Sequence, residues 1–544
     1  MGSIEAPAKA WEEIRDAKKA EQDARIPAEW KLKPNAVPPE GTRDLRPYAA
    51  SSGILSDREL EITGDTYDAT ALAAKIADGT YSAVEVVTAY CKRAAIAQQL
   101  CSCLTEIAFL DAVEDAKKLD EQYKSTGKTV GPLHGIPMTF KECFHLKGYD
   151  ASDGYISRAF DPSTYDSYMI EIVKAAGAVV IAKTNTPQSM LVAEAHNNVF
   201  GRTKNPIVSQ LTSGGSSGGE GVSLAFHGSA LGIGTDVGGS IRVPAASNGV
   251  YGYKPSVGVL SMLGYAASNW VGMNTGIPAV SGPLARSARD LSLLTRVVRD
   301  AQPWKVDPAA IPGICEQGAV ERRPVVGVVY KSALTPHPPV RRALQEAVAK
   351  LQAAGIEVKE FDPPSFAEFG NVARELFTVD GLSYPKRELK KAGEPVVPSV
   401  AKFGFLDMTA KSMEETWTWN AKKGALQKDM LDRWQEAQID IVLCPAGPHT
   451  AVLPGEWRDV SYTVTWNVTD QPAIIVPFSS VDPSVDVKDT ETFKPLSSDD
   501  EQSYAMYDPE LMAGAPVALQ LVGPRLGDEQ LLKDVEFIDN IFRQ

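Results

Sequence analysis

The sequence has few of the side chains that form disulfides or bind metals. Its 544 residues include six cysteines and six histidines. None of the cysteines stands in a CxxC pair, and no HExxH zinc motif occurs. Cys101 and Cys103 are too close in the chain for an ordinary disulfide. We therefore predict reduced thiols in a reducing compartment and no metal site.

Long apolar runs and an excess of positive charge are also missing. No stretch of about 18 apolar residues occurs, which excludes a transmembrane helix. The N-terminus lacks the apolar core of a signal peptide. A net charge of −14 disfavours nucleic acid and anionic membrane surfaces as partners. The sequence thus predicts a cytoplasmic protein with no membrane span and no nucleic-acid partner.

Glycine and serine are concentrated in the segment 212–256. They form GGSSGG at 214–219 and GGS at 238–240, with a predicted helix at 222–226 and a predicted strand at 230–235 between them. Glycine lets the backbone approach a ligand closely, and serine supplies a nucleophile or proton relay. Flanking apolar segments make a flexible linker a poor fit, so we expect a functional site on these loops.

Three familiar motifs fit the two clusters poorly. A phosphate-binding P-loop would place a lysine after the glycines, and none follows. Gly232, Gly234 and Gly238 are spaced GxGxxxG rather than GxGxxG, so no nucleotide cofactor is predicted. The hydrolase elbow GxSxG matches at Ser216 and at Ser217, but overlapping matches in a glycine-rich run are weak evidence.

A lysine upstream indicates a different chemistry. Residues 135–141 read GIPMTFK, a short apolar strand that ends at Lys141. Burial lowers the pKa of a lysine and makes it a base, and serine–lysine pairs are a known variant of the catalytic triad. Together with GGSSGGE at 214–220 and GTDVGGSIRVP at 234–244, this lysine resembles the amidase signature family. The resemblance is closest to its fungal acetamidase-like and fatty-acid-amide-hydrolase-like branch.

The resemblance implies an amidohydrolase that needs no cofactor. It would cleave carboxylic acid amides to the acid and ammonia or an amine through a serine acyl-enzyme. Ser240 would be the nucleophile, Ser216 the proton relay and Lys141 the base, with a cis peptide bond between residues 215 and 216. The oxyanion would be held by four backbone amides, those of Val237, Gly238, Gly239 and Ser240.

Other residues are expected around this centre. Met190, in the sequence TPQSM at 186–190, is a substrate-binding candidate. We expect Ser217 to form hydrogen bonds around the relay serine. Asp236 and Arg242 are predicted to pair and hold the nucleophile loop. Glu142 stands where the family commonly has aspartate.

Alternating helices and strands predict an α/β fold. The resemblance implies a single large domain with a central mixed, twisted β-sheet covered by helices on both faces. We predict a helical, proline-rich arm at 1–65 and the amidase signature domain at 66–544. Within that domain the catalytic core spans about 66–300, and a more variable helical region on the substrate side spans about 363–435. A polar stretch at 479–510 is predicted to be an exposed loop.

Several alternatives stay open at this stage. Lys141, Glu142 and Cys143 contain the residue types of a nitrilase site, although adjacent side chains diverge on a strand. A transamidating amidotransferase subunit, a serine esterase and a catalytically silent binding protein share the resemblance. Trp417 and Trp419, with the tryptophan at 434, line a substrate channel or belong to the core. The amide cleaved and the oligomeric state, including a homodimer, are not fixed by the sequence.

Overall fold

The computed structural model describes residues 9–312, 321–489 and 493–544. Cys315 therefore lies outside the described residues. Within those ranges the chain forms one 11-stranded sheet and one two-stranded sheet. The strands are β1 (Leu104–Ile107), β2 (Pro137–Lys141), β3 (Val179–Thr184), β4 (His196–Asn197), β5 (Gly201–Arg202), β6 (Leu231–Asp236), β7 (Tyr251–Lys254), β8 (Val280–Ala285), β9 (Val326–Val328), β10 (Val358–Glu360), β11 (Ile441–Pro445), β12 (Ala473–Ser480) and β13 (Pro516–Val522).

The large sheet is mixed, as predicted. Its strand order is β1-β3-β2-β6-β8-β7-β12-β13-β11-β9-β10. β2 runs parallel to β3 and β6, and β9 runs parallel to β10 and β11. The strands between these two groups, from β6 through β8, β7, β12 and β13 to β11, pair antiparallel.

Parallel pairing of β2 with β6 brings the two halves of the candidate site together. Met138 lies opposite Leu231, and Phe140 lies opposite Ile233. Both strands end at the same edge of the sheet, so Lys141 at the end of β2 faces the loop that follows β6. Every residue of both strands is buried, which is the pattern of a sheet covered on both faces.

Helices flank the large sheet. They are α1 (Trp11–Ala24), α2 (Tyr48–Ser51), α3 (Asp57–Ile62), α4 (Ala69–Ala77), α5 (Ala83–Cys101), α6 (Phe109–Thr126), α7 (Tyr168–Ala175), α8 (Gly218–Ala225), α9 (Arg242–Asn248), α10 (Ala288–Asp300), α11 (Pro338–Ala353), α12 (Phe366–Phe377), α13 (Ser383–Ala392), α14 (Pro398–Phe403), α15 (Met413–Ala437), α16 (Ser461–Val468), α17 (Ser498–Ala505), α18 (Pro509–Met512) and α19 (Asp528–Arg543). α6 contacts β3, α8 contacts β2 and β6, and α11 contacts β13. Among the helices of the described residues, none has the length and apolar character needed to span a bilayer.

Local capping signals explain several helix starts. The spacing of Ser82 and Glu85 predicts a capping box, and the two residues form one at the start of α5. The sequence likewise predicts that Ser287 and Asp290 cap α10, and the Ser287 side chain does so. The Asp290 side chain acts on a different helix. Its carboxylate accepts hydrogen bonds from the backbone amides of Ala69 and Thr70 and so caps α4, which is distant in sequence.

The structure departs from the sequence prediction in two respects. No strand is predicted for β1, β7 or β8, although all three pair within the large sheet. Gly282 and Pro283 interrupt the apolar pattern of β8. The stretch 479–510 is not simply an exposed loop, since it contains α17, and Tyr504 and Tyr507 are buried. Long-range pairing and aromatic burial outweigh the local polar composition in these segments.

The charged N-terminal helix α1 packs on the rest of the chain. Lys18 is 2% exposed, and its Nζ lies 2.6 Å from a Glu106 carboxylate oxygen and 2.7 Å from one of Asp150. The Gln22 side chain donates hydrogen bonds to the carbonyl oxygens of Leu104 and Thr105. The helix therefore covers the edge of the sheet at β1, with its charges paired inside the contact.

Candidate active site

Lys141 and Ser216 meet inside the protein. The Lys141 Nζ lies 2.6 Å from Ser216 Oγ and 2.7 Å from Thr235 Oγ1, and the lysine is fully buried. The strand register explains this contact, because Lys141 ends β2 and Thr235 lies near the end of the neighbouring β6. Thr235 was not singled out in the sequence, although it stands within the GTDVGGSIRVP motif.

The environment of Lys141 favours its neutral form. Burial lowers its pKa from 10.5 to about 8, against weaker opposing effects of Cys143, Asp153, Asp236 and Glu220. No carboxylate forms an ion pair with this lysine within the described part of the chain. A lysine with such a pKa is in part a free base near neutral pH, which is the form that a proton acceptor needs.

The first glycine–serine cluster positions Ser216 between a turn and a helix. The peptide bond between Gly215 and Ser216 is cis. A Cβ atom on Gly215 would lie 2.3 Å from backbone atoms of Glu194, so only glycine fits there. The Ser217 amide donates to the Ser240 carbonyl oxygen at 3.0 Å. This hydrogen bond ties the first cluster directly to the second.

The second cluster forms the turn between β6 and α9. Gly239 has φ +136°, and a Cβ atom there would lie 2.3 Å from Thr463 Oγ1. The Thr463 hydroxyl donates to the Gly238 carbonyl oxygen at 2.6 Å. The Gly239 amide donates to an Asp236 carboxylate oxygen at 2.8 Å. Helix α16 therefore fixes the backbone that carries Ser240.

Asp236 and Arg242 form a fully buried ion pair. The Arg242 Nη2 lies 2.9 Å from Asp236 Oδ1, and both side chains have no exposed surface. Burial alone would raise the pKa of Asp236, but the guanidinium and the amide of Asn467 hold that pKa below its usual value. Arg242 also donates to Gln520 Oε1 at 2.9 Å. The pair anchors the nucleophile loop to α16 and β13.

Glu220 is a buried carboxyl group behind the site that the sequence analysis quoted without assigning a role. Its oxygens accept hydrogen bonds from the Thr139 and Thr184 hydroxyls, each at 2.7 Å. Burial raises its pKa to about 8. A Cβ atom on Gly232 would come within 2.1 Å of this carboxyl group, which explains the glycine on the adjacent strand.

A cavity of about 580 Å³ opens onto these residues. Ser216, Thr235, Val237, Ser240 and Met190 all line it. A second, smaller cavity of about 50 Å³ is lined by Gly238 and Gly239 and shares Val237 and Ser240 with the first. Four of the predicted site residues, Met190, Ser216, Val237 and Ser240, thus line one cavity. Lys141 does not line it but contacts Ser216, which does.

Comparison with known proteins identifies the family. The Amidase family model matches residues 85–532. The chain belongs to the amidase signature family. An acetamidase of Aspergillus oryzae is 36% identical over 551 residues, which cover 98% of this chain and 99% of the relative. An amidase of Gibberella moniliformis is also 36% identical, over 97% of this chain and 98% of its own length.

A solved structure agrees with this assignment. A fatty acid amide hydrolase superposes with a TM-score of 0.91 at 31% identity, over 98% of this chain and 95% of the other. The chain is therefore an amide-hydrolysing enzyme with the fold that its sequence motifs predict.

The amidase has no histidine at its cavity. All of its histidines lie in the described residues, and none lines the space around Ser216 and Ser240. His337 and His449 pack against each other, with ring centroids 5.7 Å apart. Burial lowers the pKa of His337 to about 3 and that of His449 to about 4. An elbow-type hydrolase with a histidine base therefore has no support here.

The nitrilase alternative has no support at the cavity. The Glu142 carboxylate is not part of the cavity lining and instead accepts hydrogen bonds from the Ser152 amide and hydroxyl, each at 2.8 Å. Burial raises the pKa of the Cys143 thiol to about 12, and Cys143 does not line the cavity. Among the described residues, no group of three or more His, Cys, Asp or Glu side chains is arranged to hold a metal ion.

The tryptophans of the amidase's helical region 363–435 do not line the cavity. Trp434 is 5% exposed and lies in the core, whereas Trp417 is 63% exposed on the surface of α15. Trp419 is only partly buried and packs against that same core. Trp270, which the sequence analysis did not single out, lines the cavity instead. Its segment shows no regular apolar periodicity that would have marked it.

Proposed function

We propose that this amidase hydrolyses linear carboxylic acid amides through an acyl-enzyme on Ser240, with Ser216 as proton relay and Lys141 as terminal base. The observation that carries the proposal is the 2.6 Å contact between the buried Lys141 Nζ and Ser216 Oγ. Ser240 lines the same cavity as Ser216. The relatives named acetamidase and amidase support an amide as the substrate.

The acylation step uses the neutral form of Lys141. As Ser240 Oγ attacks the carbonyl carbon, its proton passes to Ser216 Oγ, and the Ser216 proton passes to Lys141 Nζ. The tetrahedral intermediate then breaks its carbon–nitrogen bond. The departing nitrogen takes the proton back from Lys141 through Ser216, so the amine or ammonia leaves neutral. Thr235 accepts a hydrogen bond from Nζ and so orients it toward the relay.

The oxyanion needs hydrogen-bond donors that are not already bonded to another acceptor. The Gly239 amide is bonded to Asp236, so we assign the main role to the amides of Val237, Gly238 and Ser240. Within the described residues these three amides have no protein acceptor, and the positive φ of Gly239 turns the loop around them. Backbone amides at such a turn stabilise the charge that develops in the transition state.

Deacylation repeats the same proton path with water. A water molecule attacks the acyl ester, its proton passes through Ser216 to Lys141, and the Ser240 oxygen recovers that proton as it leaves. The carboxylic acid is released, and Lys141 returns to its neutral form. Met190, which lines the cavity beside Ser240, contacts the substrate.

The remaining expectations stay predictions. We propose a cytoplasmic enzyme whose partner is its amide substrate, with no nucleic acid. We also propose the division into an arm at 1–65 and an amidase signature domain at 66–544, and a homodimer is the oligomeric state that we would test first.

A serine-directed fluorophosphonate probe tests the assignment. The parent enzyme should gain one probe adduct by intact mass, and Ser240→Ala should gain none and lose amide turnover. Ser223→Ala is the matched control, because Ser223 is a buried serine on α8 outside the cavity, where its hydroxyl forms a hydrogen bond with Ser229 Oγ at 3.2 Å. Undiminished labelling of Ser240→Ala would refute Ser240 as the nucleophile.

A further inference from the structure

We propose that Trp270 sets the substrate class of this amidase, namely uncharged amides that carry a bulky apolar chain or ring, in preference to acetamide. This inference rests on the proposed amide hydrolysis and concerns the wall of the same cavity. Trp270 belongs to the segment 262–279, which forms one side of the space that Ser216 and Ser240 line.

Trp270 is held in place by helix α13. Its indole Nε1 donates to Ser383 Oγ at 2.7 Å. The Arg387 guanidinium stacks 4.1 Å from the indole centroid, and the Tyr384 ring meets the indole edge-on at 5.5 Å. Arg387 is itself fixed by Glu388 at 2.8 Å. A tryptophan that is 40% exposed would otherwise sample several rotamers, so these contacts make a preorganised wall.

More of the cavity wall is apolar than polar. Besides Trp270, the apolar side chains that line the cavity include Met190, Leu191, Met262, Met273, Ile277 and Phe377. These apolar side chains stabilise a hydrocarbon group of the substrate, which acetamide lacks beyond its methyl.

The charges around the cavity exclude anionic substrates. Among the described residues that line it, Asp380 is the one charged side chain. Its carboxylate already accepts hydrogen bonds from the amides of Leu382 and Ser383, both at 3.0 Å. A substrate carboxylate would lose its hydration here without gaining a cationic partner.

The volume of the cavity also favours a bulky amide over acetamide. A volume of about 580 Å³ falls within the range of sites that enclose drug-sized ligands, and acetamide would leave most of it unfilled. Binding energy from a remote apolar group then lowers the barrier at the carbonyl. We expect each added methylene to raise kcat/KM about threefold to fourfold, which corresponds to about 0.8 kcal/mol.

The test measures kcat/KM by ammonia release from acetamide, hexanamide, decanamide, phenylacetamide and the monoamide of adipic acid. We expect hexanamide to exceed acetamide about 50-fold or more. The adipic monoamide, which differs from hexanamide by a terminal carboxylate, should fall at least about tenfold below it. A preference for acetamide, or equal rates for hexanamide and the adipic monoamide, would overturn the proposal.

Variants then assign the effect to Trp270. Trp270→Ala should reduce the decanamide-to-acetamide ratio of kcat/KM about tenfold or more. Ser383→Ala, which removes the indole hydrogen bond and the hydrogen bond from the Ser383 hydroxyl to Asp380, should reduce it less. Trp417→Ala deletes an indole that is exposed and outside the cavity, so it should leave the ratio at the parent value. If Trp270→Ala does not fold, the decanamide-to-acetamide ratio of kcat/KM in Ser383→Ala tests the role of Trp270 instead.

Different results would refute the role of Trp270 and the proposed amide hydrolysis. An unchanged ratio in Trp270→Ala or, where that variant is unfolded, in Ser383→Ala refutes the role of Trp270 while amide turnover and Ser240 labelling persist. An equal fall in Trp417→Ala refutes it as well. Absence of turnover on every amide, together with an unlabelled Ser240, would instead refute the amide hydrolysis itself.

Discussion

The pH dependence of turnover tests the role of Lys141 most directly. With a pKa of about 8, about one-tenth of the lysine is neutral at pH 7 and about nine-tenths at pH 9. If the neutral amine is the base, kcat/KM should rise about tenfold between these pH values and level off above them. Lys141→Arg should lose at least about a thousandfold in kcat/KM and show no rising limb, because a guanidinium stays charged.

Lys254 is a matched control for this experiment. It is also fully buried, burial lowers its pKa to about 8, and its Nζ donates to the Pro255 carbonyl oxygen. Lys254 does not line the cavity. Lys254→Met should therefore keep the parent's rising limb, although both lysines titrate in the same range. His337→Gln and His449→Gln should keep it too.

The assay is kcat/KM for hexanamide between pH 6 and pH 10, with each variant's folding checked by circular dichroism. A rising limb that survives Lys141→Arg, or that moves in Lys254→Met, would remove Lys141 from the mechanism. Loss of turnover in folded His337→Gln or His449→Gln would restore a histidine base.

The lowered pKa of Lys141 also predicts that this group reduces the free energy of unfolding. The folded-state pKa of Lys141 lies below its unfolded value of 10.5, so the unfolded chain binds the extra proton between about pH 8 and pH 10.5. Stability from this group therefore rises with pH in that window, and below it the folded enzyme bears a penalty of about 3 kcal/mol. Urea unfolding of Lys141→Met should show a smaller rise in stability from pH 8 to pH 10 than the parent shows.

Two further substitutions probe the nucleophile loop. Gly239→Ala places a methyl group against Thr463 at a φ of +136°, so kcat should fall about a hundredfold or more. The control is Gly424→Ala on the exposed helix α15, where nothing lies near the added Cβ. This variant should keep kcat, and its free energy of unfolding in urea should rise by about 0.5–1 kcal/mol. An active Gly239→Ala would contradict the tight turn. Asp236→Asn leaves Arg242 without its buried partner and should lower the free energy of unfolding by about 3–5 kcal/mol. The exposed control Asp432→Asn, which breaks a surface pair with Lys428, should cost at most about 1 kcal/mol, and equal losses would contradict the buried pair.

The sequence predicts those parts of the protein that depend on local signals. The sequence pattern predicts a helix at 168–175 and a strand at 516–522, and these segments form α7 and β13. Capping residues and apolar periodicity determine such elements over a few turns. Lys141 and the two serine clusters were found because short motifs mark them, and the resemblance supplied their expected roles.

Contacts between distant segments could not be predicted in this way. Thr463 and Asn467 of α16 form hydrogen bonds with the loop that carries Ser240, although they lie 225 and 231 residues from their partners in sequence. No motif in α16 indicates these contacts. Trp270 and Trp417 look alike in sequence, since both are isolated aromatics in irregularly patterned segments. Only the fold places Trp270 at the cavity and Trp417 on the surface.

The two sets of contacts that matter most for function share no residue. Lys141 is oriented by Ser216 and Thr235 on the sheet edge. Trp270 is oriented by Ser383 and its neighbours on helix α13, which is not part of the sheet. Substitutions in the Trp270 wall therefore change which apolar group is accepted without changing the pKa of the base. The pH midpoint of Trp270→Ala should accordingly match that of the parent, even where its preference among amides has changed.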